Sequence, residues 1–139
     1  MKKVNFKSIL MALAVTLTFL FAGMERVNAQ GLSDGIFSVP TGSFVNSDQA
    51  QQKLMAQMTQ DRSQIDILGL IPGTPTYNAY YSRAMYYNHM NLMIRDNGTA
   101  VSTAIAEALQ IITHDEYSFN LTKYQLQQLK SDAIAYLQN

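Results

Sequence analysis

Two histidines, His89 and His114, and a run of acids beside the second, Asp115-Glu116, are the residues of this chain best suited to chemistry. Nucleophilic catalysis needs a base next to its nucleophile, and His89 and His114 are the only imidazoles to supply one. No Gly-x-Ser-x-Gly elbow precedes a helix, and no glycine-rich phosphate loop follows a strand. Gly31-Leu32-Ser33-Asp34-Gly35 has the composition of a turn without the flanking elements of a phosphate cradle. Asp115 and Glu116 are adjacent, so their side chains diverge and cannot share one reacting atom.

Metal binding fares little better. His114, Asp115 and Glu116 group three ligand types, and Glu107 lies two helical turns earlier. Seven residues along a helix span about 10 Å, too far for joint coordination at about 2 Å. A solvated helix end explains the group without a metal. His89-Met90 offers both common axial ligands of haem, but neighbours on a helix point about 100° apart. The absence of cysteine removes thiol nucleophiles, thiolate zinc sites, disulfides and covalent c-type haem. No cofactor and no metal are expected.

The remaining cluster is aromatic. Tyr77, Tyr80, Tyr81, Tyr86 and Tyr87 occur within eleven residues, with Arg83 among them. Tyr, Met and Arg are enriched at the buried centres of interfaces. The cluster has three readings: bulk for a core that lacks Trp, a contact with another protein, or a stacking pocket for a planar ligand or sugar. As a binding surface it is assigned to Tyr77, Tyr80, Tyr81, Arg83, Tyr86 and Tyr87. The methionines at 55, 58, 85, 90 and 93 read as core filler.

The elements that must position these residues follow from periodicity and breakers. Residues 1–29 have the layout of a signal peptide: Lys2, Lys3 and Lys7, an uncharged run from Ile9 to Gly23, then Val27-Asn28-Ala29 as a cleavage site. That run of fifteen residues would extend roughly 22 Å as a helix, short of the ~30 Å hydrocarbon core. Residues 30–46 read as an extended arm whose aromatics dock on the body. Residues 47–139 read as a helical domain of about four helices.

The first helix runs from a Ser47 cap to about Leu68, with Leu54, Met58, Ile65 and Leu68 in one stripe. Asp61 stands at the edge of that stripe, as a carboxylate reaching water. Gly69-Leu70-Ile71-Pro72-Gly73-Thr74-Pro75 breaks the chain. The second helix runs from a Thr76 cap to Asp96, closed by Gly98 in the left-handed conformation. It has no clean polar face and so requires neighbours on all sides. The third, capped by Thr99, carries the stripe Val101, Ala104, Ile105, Ala108, Leu109 and Ile112. The fourth starts near Asn120 or Thr122 and carries Leu126, Leu129, Ala133, Tyr136 and Leu137.

Without the leader, six basic residues (Lys53, Arg62, Arg83, Arg95, Lys123, Lys130) face nine acidic ones (Asp34, Asp48, Asp61, Asp66, Asp96, Glu107, Asp115, Glu116, Asp132), a net charge of about −3. That balance excludes a nucleic-acid binder working by phosphate neutralisation. Twelve Gln and seven Asn in that portion supply most of its solvated surface. The sequence therefore predicts an exported, all-α, non-enzymatic protein of the periplasm or exterior, with a leader of bacterial type. Its expected role is that of an accessory or structural subunit binding another envelope or secreted protein, or a second copy of itself. A small-molecule carrier with a Tyr/Met-lined pocket and a periplasmic holdase are the competing roles.

Overall fold

The computed structural model describes residues 34–40, 42–114 and 121–139. Residues 1–33, 41 and 115–120 lie outside the described residues, and with them the expected leader, the start of the arm, and Asp115 and Glu116. The rest is all-helical. A short 3-10 turn at Asp34–Phe37 precedes α1 (Ser47–Ile67), α2 (Pro75–Asn97), α3 (Val101–His114) and α4 (Lys123–Leu137). The described residues contain no strand; Phe44 and Gln138 form an isolated antiparallel bridge.

Each boundary has a local cause. α1 is capped by Asn46 and not by Ser47, which is its first helical residue. The Asn46 side chain accepts from the Gln49 N–H while Gln49 reaches back to the Asn46 N–H, a reciprocal capping box. An amide in this role serves as well as a hydroxyl, so the cap lies one residue earlier. Similarly, Thr74 and not Thr76 caps α2, because Pro75 takes the first helical position, where its missing N–H costs nothing. Thr122 and Gln125 close the box at α4. Gly98 ends α2 at φ 65°, the left-handed conformation that glycine adopts without a Cβ penalty.

α1 and α2 form an antiparallel hairpin and the most extensive helix pair, and α3 then packs on α2 and α4 on α3. The expected stripe of α3 (Val101, Ala104, Ile105, Ala108, Leu109, Ile112) is all buried, and of the α4 stripe Leu126, Leu129, Ala133 and Leu137 are buried while Tyr136 is half-buried. α2 has the neighbours that its all-round apolar surface demands, since it lies against both α1 and α3 and its Tyr87 stacks on Tyr136 of α4. Ile36 and Val45 bring the arm into the same core. The arm is also held by Lys130, whose Nζ donates to the Gly35 and Ser38 carbonyls. Next to the bridge, Val45 N–H donates to the Leu137 carbonyl at 2.9 Å and Asn139 N–H to that of Ser43 at 3.0 Å.

Two expectations for α1 need correction. Asp61 does not reach water: it is fully buried and bonded to Arg83. Its partner stands 22 residues away on another helix, where the wheel of α1 alone cannot show it. Met55 is no core filler either. It is 55% exposed on the outer side of α1, whereas Met90 is buried.

Candidate functional site

The six residues assigned to a binding surface divide between two environments. Tyr80, Tyr86 and Tyr87 are buried, at 2%, 0% and 3% exposure. Tyr77 and Tyr81 are half-buried and stack on each other with ring centroids 5.4 Å apart. They occupy one face at i, i+4 near the start of α2. The split follows from where α2 is covered: its middle is walled by α1, α3 and α4, while its first turns project beside the hairpin turn.

Tyr86 is anchored twice. Its hydroxyl donates to the Ile105 carbonyl of α3 at 2.8 Å, and its ring meets Tyr87 edge to face at 5.8 Å. Tyr87 in turn stacks on Tyr136 at 6.1 Å. These geometries are those in which the edge of one ring, or an offset face, meets the electron-rich face of the next. Burial raises the pKa of both Tyr86 and Tyr87 above the ordinary phenol value of 10.0, although the nearby Arg83 opposes the shift at Tyr87. A phenol whose folded value is raised contributes stability in full below the unfolded value, and loses it as pH rises through the folded one. Stability is therefore expected to fall as pH climbs above 10.0. Tyrosinate absorbance from this pair should appear together with loss of helical circular dichroism. Early ionisation of all tyrosines with the helices intact would contradict the placement.

Arg83 belongs to a polar seam between α1 and α2. Its Nε donates to Asp61 Oδ2 at 2.9 Å and its Nη2 to Asp61 Oδ1, a two-point grip, while Gln57 Nε2 donates to Oδ1 at 3.0 Å. Asp132 of α4 adds an attractive charge near Arg83. Burial lifts the Asp61 carboxyl above the usual carboxylate value, and Arg83 and Gln57 only partly offset that. The seam is closed to a substrate by its own pairing. Its register was within reach of the sequence: in an antiparallel hairpin turning about Pro72, residues whose numbers sum to about 144 face each other, as 61 and 83 do.

A third constellation has no counterpart in the sequence pattern. Lys53 Nζ donates to the Tyr136 carbonyl at 2.9 Å and lies 4.5 Å from the centre of the Tyr136 ring. The Tyr136 hydroxyl donates back to the Lys53 carbonyl at 2.8 Å. This reciprocal clasp joins α1 to α4 and turns the only charge between Gln49 and Gln60 away from the outer side of α1. What remains there is exposed and neutral: Gln49, Gln52, Met55, Ala56, Thr59 and Gln60. Twelve residues of helix make that strip roughly 18 Å long.

A cavity of about 320 Å³ lies between the arm and the start of α3, lined by residues that include Phe44, Val45, Gly98 and Val101 but no tyrosine or methionine. No group of three or more His, Cys, Asp or Glu side chains converges among the described residues. No helix among them is long and apolar enough to cross a membrane. No family model matches the chain, and neither a curated protein nor a solved structure is similar to it.

Proposed function

We propose that this chain is an exported, non-enzymatic binding protein, an accessory subunit of an envelope or secreted assembly, whose partner protein lies along the outer side of α1. The observation that carries this reading is the neutral strip around Met55. Charged side chains are depleted at the centres of protein interfaces and Met is enriched there, because a charge would have to shed water on binding. An exposed helix in a chain of net charge about −3 would ordinarily place charges on this side. Here the exposed charges Asp48 and Arg62 stand beyond the two ends of the strip, and Lys53, the only charge within its span, is drawn onto Tyr136. Gln and Thr side chains offer donors and acceptors to a partner without the desolvation cost of an ion.

Met55→Glu tests the reading. At a site 55% exposed, the change should alter stability by no more than about 0.5 kcal/mol. The partner that co-purifies at fixed stoichiometry with the wild type should be lost. Retention of that partner by the folded variant would overturn the assignment of the strip.

A further inference from the structure

We propose that the α1–α2 turn, Ile67–Pro75, is a second contact surface that dips into an uncharged lipid surface, with Ile71 deepest and Tyr77 and Tyr81 at headgroup level. It is separate from the strip around Met55. Residues 67–82 form sixteen consecutive positions without an acidic or basic side chain. Ile71 at the turn is 68% exposed and Ile67 47%, and Leu68 and Leu70 are half-buried.

Much of the backbone of this turn is paired within itself, which lowers the cost of a drier environment, while the N–H groups of Ile71 and Gly73 donate to no protein group among the described residues and need a headgroup or water as acceptor. Leu68 donates to the Gln64 carbonyl, Gly69 to Asp66, Leu70 to Ile65, Thr74 to Ile71 and Asn78 to Thr74, all at 2.9–3.2 Å. The Thr74 hydroxyl donates to the Ile71 carbonyl at 2.7 Å and accepts from the Tyr77 N–H. Pro72 and Pro75 have no N–H to satisfy.

Tyr77 lies in the first turn of α2 next to the loop, and Tyr81 is four residues or ~6 Å further along the axis, so the stacked pair flanks the turn where a headgroup region would lie. Tyrosine is suited to that level because its ring is apolar and its hydroxyl is wet. The nearest charges behind the turn on α1, Arg62 and Asp66, are exposed and opposite in sign, so the neighbourhood has no net attraction for anionic headgroups. A turn of nine residues is also far smaller than the ~20–30 residues a side of a standard protein interface, which argues against a second copy as its occupant.

The chain contains no Trp, so Ile71→Trp places a unique reporter at the turn. The full-length variant is mixed with vesicles of phosphatidylcholine carrying brominated acyl chains, beside Tyr124→Trp, a reporter at a 49% exposed site on α4. The expected result is blue-shifted indole emission from position 71, quenched by bromine independently of salt, with the indole at position 124 unquenched. Adding Ile67→Asp should weaken partitioning by about tenfold. Emission from position 71 that stays water-like, or is quenched no more than that from position 124, overturns the proposal even if the chain is anchored to the vesicle elsewhere. Quenching abolished by salt also overturns it. So does a blue shift that grows with protein concentration without lipid, which would assign the turn to a second copy.

Discussion

Arg83→Met is expected to destabilise the fold by about 3–5 kcal/mol, the largest effect of any single change outside the apolar core. It leaves the fully buried Asp61 carboxylate without its two-point partner, with only Gln57 to stabilise it. Arg83→Lys should recover little, because an ammonium cannot reproduce the planar fork. Replacing both partners, Asp61→Leu with Arg83→Met, should bring stability back to the wild-type level or above it. Burial lifts the Asp61 carboxyl above its ordinary value even beside Arg83, and a buried ion pair replaced by apolar residues of similar volume is often neutral or more stable.

The sign of the pH dependence follows. An acid whose folded value is raised contributes stability below its unfolded value, and this contribution is lost as pH rises through the folded one. The advantage of the double variant over the wild type should thus be greatest at neutral pH and shrink in acid. Urea unfolding at neutral pH and near pH 4 measures all of this. A double variant as unstable as Arg83→Met at neutral pH would show that the pair is a net source of stability.

Tyr86→Ala should cost about 3–5 kcal/mol, the range for deleting an aromatic ring from a packed core. Tyr86→Phe isolates the hydroxyl. It should cost only about 1 kcal/mol, because the Ile105 carbonyl remains in position for its own helical bond when the phenol leaves. Tyr77→Ala and Tyr81→Ala, at half-buried sites flanking the turn, should each cost less than about 1 kcal/mol. Denaturant unfolding of the four variants therefore separates the tyrosines of one helix into two classes. Equal losses at positions 77 and 86 would contradict the division.

Much of this architecture was legible in the residue pattern. The stripes of α3 and α4 are regular because each packs on one side, so a single helical wheel identifies them. The turn at Gly69–Pro75 was legible because two prolines and two glycines forbid any alternative. The need of α2 for neighbours on every side followed from apolar residues distributed all round it. What the pattern concealed depends on pairing across the fold. Asp61 looks like a boundary residue until Arg83 is opposite it. Lys53 looks like a solvated charge until Tyr136, 83 residues on, receives it. Once Lys53 is turned inwards, the outer stretch of α1 from Gln49 to Gln60, between the exposed Asp48 and Arg62, is left neutral, and a methionine that resembled core filler becomes the centre of a surface. The Tyr-rich cluster was similarly misleading as a unit: its spacing marks one helix, but the coverage of that helix changes along its length.

The most direct test of the proposed binding role is site-specific photo-crosslinking in the native envelope, with the reactive group placed at Met55 or at the exposed Ser131 of α4. A discrete adduct of one partner protein from position 55, and none from position 131, is the predicted result. No adduct from position 55, or the same adducts from both positions, would contradict the assignment of the neutral stretch of α1 as the binding surface.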